Sequence, residues 1–143
     1  MNGAIVGKFG VSLHAQPLLT KDEAAFYNLL KLTVQDHYLV LAQVPVWCLV
    51  DVQAKDPKAR ASILNQIALR RVDFVLVHPG TLATFKIIEL DDPAIPPTQK
   101  EGRNKLIDGV FKEAGIALVR LQNPNSYTAP TLAAALGFDT GSI

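Results

Sequence analysis

Apolar residues recur along this chain at two different spacings, and the spacings divide it into elements. Phe26, Leu29, Leu30, Thr33, Val34 and His37 follow one another at three- and four-residue intervals, the signature of one buried helix face. Just ahead, Thr20-Lys21-Asp22-Glu23 has capping-box form: the hydroxyl can accept from the amide of Glu23, and that carboxylate can reach back. A helix is therefore expected to open at Thr20. Leu39 to Val52 is rich in Val and Leu and reads as one or two short strands, with Pro45 marking an edge or a break. Residues 55–67 read as a loop followed by a short helix opening near Pro57.

Val72 to Val77 and Thr84 to Leu90 are strand-like by composition, and His78-Pro79-Gly80-Thr81 between them is turn material. A β-hairpin follows. Thr98-Gln99-Lys100-Glu101 repeats the capping-box pattern ahead of Leu106, Ile107, Val110, Phe111 and Ala114, with Gly115 suited to a left-handed helix stop. Ile116 to Leu121 is a further strand, Asn123 to Ser126 a turn, and Thr128 to Leu136 a last helix stopped at Gly137. The order predicts a mixed α/β domain over residues 18–143. Residues 1–17 form an extension, with one strand expected around Ala4 to Leu13.

Composition narrows the classes. With 143 residues and 49% apolar content the chain can bury a core, and 14 Lys+Arg against 13 Asp+Glu exclude a polybasic arm. The lone Cys48 excludes a disulfide framework and a multi-cysteine zinc site, and points to a reduced compartment, the cytoplasm. Beside Trp47 in an apolar run, it is expected to be buried. The longest apolar stretch, Tyr38 to Val50, is broken by Gln43 and Pro45 and falls short of the roughly 20 residues a membrane helix needs. Lys8 in the middle of the N-terminal segment, with no leading positive charge, is unlike a secretory signal.

The hairpin carries the candidate chemistry. Residue numbers facing each other across a hairpin add to a constant, about 161 or 162 for a turn centred at residues 80–81. Asp73 and Glu89 satisfy that condition, so two carboxylates should meet near the open end of strands otherwise made of Val, Leu, Ile and Phe. Directly opposed like charges are destabilising and call for a neutralising partner. A divalent cation, Mg²⁺ or Mn²⁺, is one answer, since it takes oxygen from one or two carboxylates and leaves other positions to water and phosphate. Nearby cations, Arg70, Arg71 and Lys86, are the other. Asp91 shares the face of Glu89 if the strand continues.

This order of elements, with an acid opening one strand and another closing the next, resembles the core of the PD-(D/E)XK nuclease superfamily. That restriction-endonuclease-like core runs helix-strand-strand-strand-helix-strand, with a mixed sheet flanked by helices. More closely, the chain is similar to a bacterial domain family of unknown function assigned to that superfamily. The likeness rests on Leu19-Thr20-Lys21-Asp22-Glu23, Val72-Asp73-Phe74-Val75-Leu76, Ile88-Glu89-Leu90-Asp91-Asp92 and Ala114-Gly115-Ile116-Ala117-Leu118-Val119-Arg120, across residues 18–121. It implies a metal-dependent endo- or exonuclease, a hydrolase of phosphodiester bonds in nucleic acid. Asp73 and Glu89 would hold the metal, with the carbonyl of Leu90 as a further ligand and Asp91 beside them. The alternatives are an inactive nuclease-like domain that binds nucleic acid or protein, and a purely structural domain with an ion-paired hairpin.

The chain also departs from the pattern. Asp91 stands where the superfamily tripeptide has lysine, as is general in the closer family. Pro93-Ala94-Ile95-Pro96 follows where that family usually has a histidine, and Arg103-Asn104 replaces its usual Arg-Asp. Lys100, Arg103 or Lys105 on the next helix could supply the missing cation. Glu23 could approach the metal, although its cap explains it. Lys55, Lys58, Arg60, Arg70 and Arg71 with only Asp56 among them make a local basic segment able to contact phosphates. Arg120, in an apolar strand, must lie at an edge or pair with an acid such as Glu89 or Asp91. His37 is expected at the helix end or in the core, and His78 in the turn. The apolar fraction also allows a homodimer.

Overall fold

The computed structural model describes residues 9–138. Helix α1 spans Lys21–Val34, strand β1 Leu39–Pro45, helix α2 Pro57–Ile67, strands β2 Arg71–Val77 and β3 Thr84–Leu90, helix α3 Pro97–Ala114, strand β4 Ala117–Leu121 and helix α4 Ala129–Ala135. Single 3-10 turns at Val46–Cys48 and Pro124–Ser126 follow β1 and β4. The four strands form one sheet in the order β1-β2-β3-β4, antiparallel except for the parallel pair β3–β4. A parallel neighbour needs a crossover, and α3 supplies it. The fold is a mixed α/β sheet flanked by helices, with the expected order of elements.

Alternation along the strands sends side chains to two cores. Phe74, Leu76, Ile88 and Leu121 meet Phe26, Leu30 and Val34 of α1 and Leu132 and Leu136 at the end of the chain's last helix. On the opposite face Val75, Val77 and Ile87 meet Ile67 of α2 and Ile107 and Phe111 of α3. A strand buried on both faces reads as a continuous apolar run, which is why Phe74 to Val77 has no polar residue. Asp73 belongs by alternation with Val75 and Val77, Glu89 with Ile87, and Arg120 with Leu118. All three therefore stand on the α2/α3 face.

Local signals set the element ends. The Thr20 capping box forms, with Thr20 N donating to Glu23 Oε1 at 2.8 Å and Glu23 N to Thr20 Oγ1 at 3.2 Å. Asp56 caps α2, its carboxylate accepting from Lys58 N at 3.0 Å. Gly115 ends α3 in the left-handed region at φ 75°, where a side chain would strain the backbone.

Several expectations need correction. No capping box forms at Thr98: α3 opens at Pro97, whose preset φ and missing N–H suit a first helical position, so Thr98 lies inside the helix. Cys48 is exposed, and Trp47 beside it is 55% exposed, because the chain leaves the sheet at Pro45 and the turn carries both outward. Of the two places expected for His37, the helix end is the one it takes: it lies just past α1, exposed, its ring Nδ1 3.3 Å from the Val34 carbonyl. The strand expected around Ala4 to Leu13 falls partly outside the described residues, and residues 9–13 hold only a turn and irregular chain.

Candidate functional site

The hairpin register places the two acids as the numbering predicts. Phe74 faces Ile88, Val75 faces Ile87 and Leu76 faces Lys86, before an irregularity at Leu76/Val77 near the turn. One step outward from Phe74 and Ile88 stand Asp73 and Glu89. There the Asp73 carboxylate takes over from the backbone, its Oδ2 accepting from Leu90 N at 2.7 Å. β3 meanwhile stays paired on its other side, with Glu89 beside Arg120 and Leu90 beside Leu121, and Asp91 N donates to the Leu121 carbonyl at 2.9 Å. A carboxylate, a carboxyl and a guanidinium thus lie on three neighbouring strands, on one face of the sheet.

Their electrostatics are unresolved from within. Burial pushes the Glu89 carboxyl up to about 8, and the neighbouring Asp73 adds to it by repulsion and by sharing a hydrogen bond. Arg120 and Arg103 pull the other way without cancelling the rise. Glu89 therefore keeps its proton at neutral pH, the expected fate of one member of a crowded acid pair. A further positive charge beside the pair would favour release of that proton.

The pair opens onto a cleft of about 930 Å³ at this end of the sheet. Thr20 and Glu23 at the start of α1 line it, as do Arg70 and Arg71 at the start of β2, Leu90 and Asp91 at the end of β3, and Lys100, Arg103 and Asn104 on α3. The segment after β4, with Gln122, Asn123 and Asn125, completes the rim. Lys100 Nζ lies 2.9 Å from Asp91 Oδ1, so Asp91 holds an ammonium group from the next helix.

Other expected site residues take different partners or lie outside the cleft. Arg120 pairs with neither Glu89 nor Asp91; its guanidinium binds Asp108 Oδ1 of α3 at 2.6 Å, because the crossover helix lies over β4 and presents that acid first. Lys58, Arg60 and Lys105 do not line the cleft. Arg60 is turned to the Val52 carbonyl at 2.9 Å, so the basic segment splits and only its Arg70 and Arg71 line the cleft. Glu23 lines the cleft while serving its helix cap. Among the described residues no three His, Cys, Asp or Glu side chains converge as a metal site. A cation here would take Asp73, Glu89 and a backbone oxygon such as that of Leu90, an all-oxygen set suited to Mg²⁺ or Mn²⁺, which retain water in their remaining positions.

Two residues escaped the sequence reading. Asp108 gave no signal as the partner of Arg120. Gln43 breaks an apolar run, and the structure shows why it is unusual: it sits at φ 55° inside β1, with its side-chain Nε2 3.4 Å from Glu23 Oε2.

Comparison with known proteins adds a family. The domain family described as "Protein of unknown function (DUF2726)" matches residues 15–139, which include every helix and strand that builds the cleft. The chain belongs to this family. No curated protein and no solved structure matches the chain. In this DUF2726 member no helix among the described residues is long and apolar enough to cross a membrane.

Proposed function

We propose that this DUF2726 domain is a metal-dependent nuclease, hydrolysing phosphodiester bonds in nucleic acid, with a PD-(D/E)XK-like site. The observation that carries the reading is the pair Asp73 and Glu89, forced together on the floor of a cleft whose walls supply cations. Two half-buried carboxyls side by side disfavour each other's ionised form, and a purely structural role gives no reason to place them so. Asp73 and Glu89, with the Leu90 carbonyl, would hold Mg²⁺ or Mn²⁺, whose charge would polarise a phosphoryl oxygen and favour ionisation of water.

The chain's own residues supply the rest. Asp73 is fixed by the Leu90 amide, so its remaining lone pairs are aimed without a search through rotamers. Lys100, anchored by Asp91, brings an ammonium group to the cleft and takes the part of the lysine missing from the tripeptide. Its role is to hold negative charge on a phosphate oxygen or to orient the attacking water. Of the three cations considered from sequence, Lys100 and Arg103 reach the cleft and Lys105 does not.

The test is hydrolysis of labelled duplex DNA and RNA by the full chain with Mg²⁺ or Mn²⁺. Cleavage should fall by at least about 100-fold in Asp73→Asn and in Glu89→Gln, the scale for losing one charge-stabilising group at a reacting centre. Nucleic acid bound tightly but left intact under every metal would instead identify an inactive binding module.

A further inference from the structure

Five basic residues line the cleft, and they are not equivalent. Lys100 is paired with Asp91 and Arg120 with Asp108. Arg70, Arg71 and Arg103 make no salt bridge to any other described residue, although each faces a cleft that also holds acids. A guanidinium left unpaired presents a planar fork of donors matched to phosphate oxygens. These three arise from two separate elements, Arg70 and Arg71 where β2 begins and Arg103 on α3.

What the cleft lacks is as informative. Its apolar lining is aliphatic, from Leu90, Ile95 and Ile107 and two prolines, and no aromatic side chain lines it among the described residues. Aromatic platforms are what reward unpaired bases, at about 1–3 kcal/mol per stacked base. Six of the chain's ten aromatic residues are engaged elsewhere: Phe26, Tyr27 and Phe74 pack together in the core, and Tyr38, Phe85 and Phe138 stack near the hairpin turn. A cleft with guanidinium forks and no stacking surface has the means to hold phosphates and none to grip base faces.

We infer that the cleft reads the sugar–phosphate backbone of a nucleic-acid duplex, without regard to base sequence, through Arg70, Arg71 and Arg103. The inference rests on the nuclease reading for the identity of the ligand as nucleic acid, and it adds which form is bound and by which residues. Phosphate contacts position a duplex but carry no sequence information, so the expected partner is defined by shape and charge alone.

Binding of the full chain carrying Asp73→Asn, which silences cleavage, separates the possibilities. Fluorescence anisotropy in monovalent salt without divalent ions would compare an AT-rich and a GC-rich duplex of about 20 base pairs with oligo(dT) of equal length, between about 50 and 200 mM salt. The two duplexes should bind within about twofold of each other and more tightly than oligo(dT), with a log–log salt slope near −2.7, about −0.9 for each of three phosphates. Arg70→Ala, Arg71→Ala and Arg103→Ala should each reduce the magnitude of that slope by about 0.9, and Lys58→Ala, outside the cleft, should leave it unchanged. Preference for oligo(dT), strong discrimination between the duplexes, or a slope indifferent to the three arginine changes would overturn the inference while the nuclease reading stands. Failure to bind any nucleic acid, even at the lowest salt, would overturn both.

Discussion

Strand β3 carries two charged residues only three positions apart, Lys86 and Glu89, and the fold treats them in opposite ways. Lys86 sits where the sheet nears the hairpin turn. Its ammonium donates to the Leu136 carbonyl at the end of α4 and lies over the rings of Phe85 and Phe138, 5.4 and 5.9 Å from their centroids. A cation at a helix C-terminus meets the negative end of the helix dipole, and aromatic faces add to the attraction. Every need of that charge is met inside the chain. Glu89, toward the other end of the same strand, has burial and the neighbouring Asp73 outweighing the arginines near it, and keeps a proton as the remedy. A strand that satisfies one half-buried ionisable group and leaves the next unsatisfied points to the second as the place where something from outside belongs.

The sharpest way to break that contrast is to remove each charge and compare stabilities. Lys86→Ala should destabilise by about 2 kcal/mol in urea unfolding, the worth of a hydrogen bond to a charged group, since it strands the Leu136 carbonyl. Glu89→Gln should do the reverse. The wild-type Glu89 pKa is raised from 4.5 to about 8, so the folded state binds a proton that the unfolded state releases between those values. Wild-type stability therefore falls as pH rises from about 4.5 to about 8 and then levels off. Glutamine removes that loss. The variant should match wild type near pH 4, gain on it through neutrality and hold its largest advantage above pH 8. Loss of stability in Glu89→Gln at pH 8 would mean that Glu89 is as well served as Lys86.

A smaller effect sharpens the same contrast on α3. Lys100→Ala should lower cleavage by about 10- to 100-fold, as for groups that support a metal centre, while Lys105→Ala leaves it unchanged. Stability should shift by less than about 1 kcal/mol, because the Lys100–Asp91 pair is partly exposed to solvent. Equal rates in the two variants would remove Lys100 from the chemistry.

Much of this is legible in the amino-acid sequence. The hairpin fixed its own register through turn length and strand composition, so the meeting of Asp73 and Glu89 followed from arithmetic on residue numbers. The Thr20 cap and the Gly115 stop were equally local, readable within four residues. The unread part was tertiary. That Lys100 would reach Asp91, or that Asp108 would take Arg120 from the acids beside it, depends on how α3 lies across β3 and β4, which no short window encodes. Gln43 shows a different limit: its backbone twist inside β1 is imposed by the sheet against its own preference, since a non-glycine residue at positive φ carries strain. Cys48 shows a third limit: an apolar run beside Trp47 suggests burial, but Pro45 ends the strand and the turn after it carries the chain outward.

Calorimetric titration of the full chain with Mn²⁺ at pH 7, in two buffers of different ionisation enthalpy, addresses the acid pair most directly. One ion should bind per chain with release of about one proton, the proton Glu89 holds without metal, and the release should vanish above about pH 9. Asp73→Asn should abolish the binding. No heat at millimolar Mn²⁺, or binding that persists in Asp73→Asn with no proton released, would contradict the claim that these two carboxyls are brought together to share a cation.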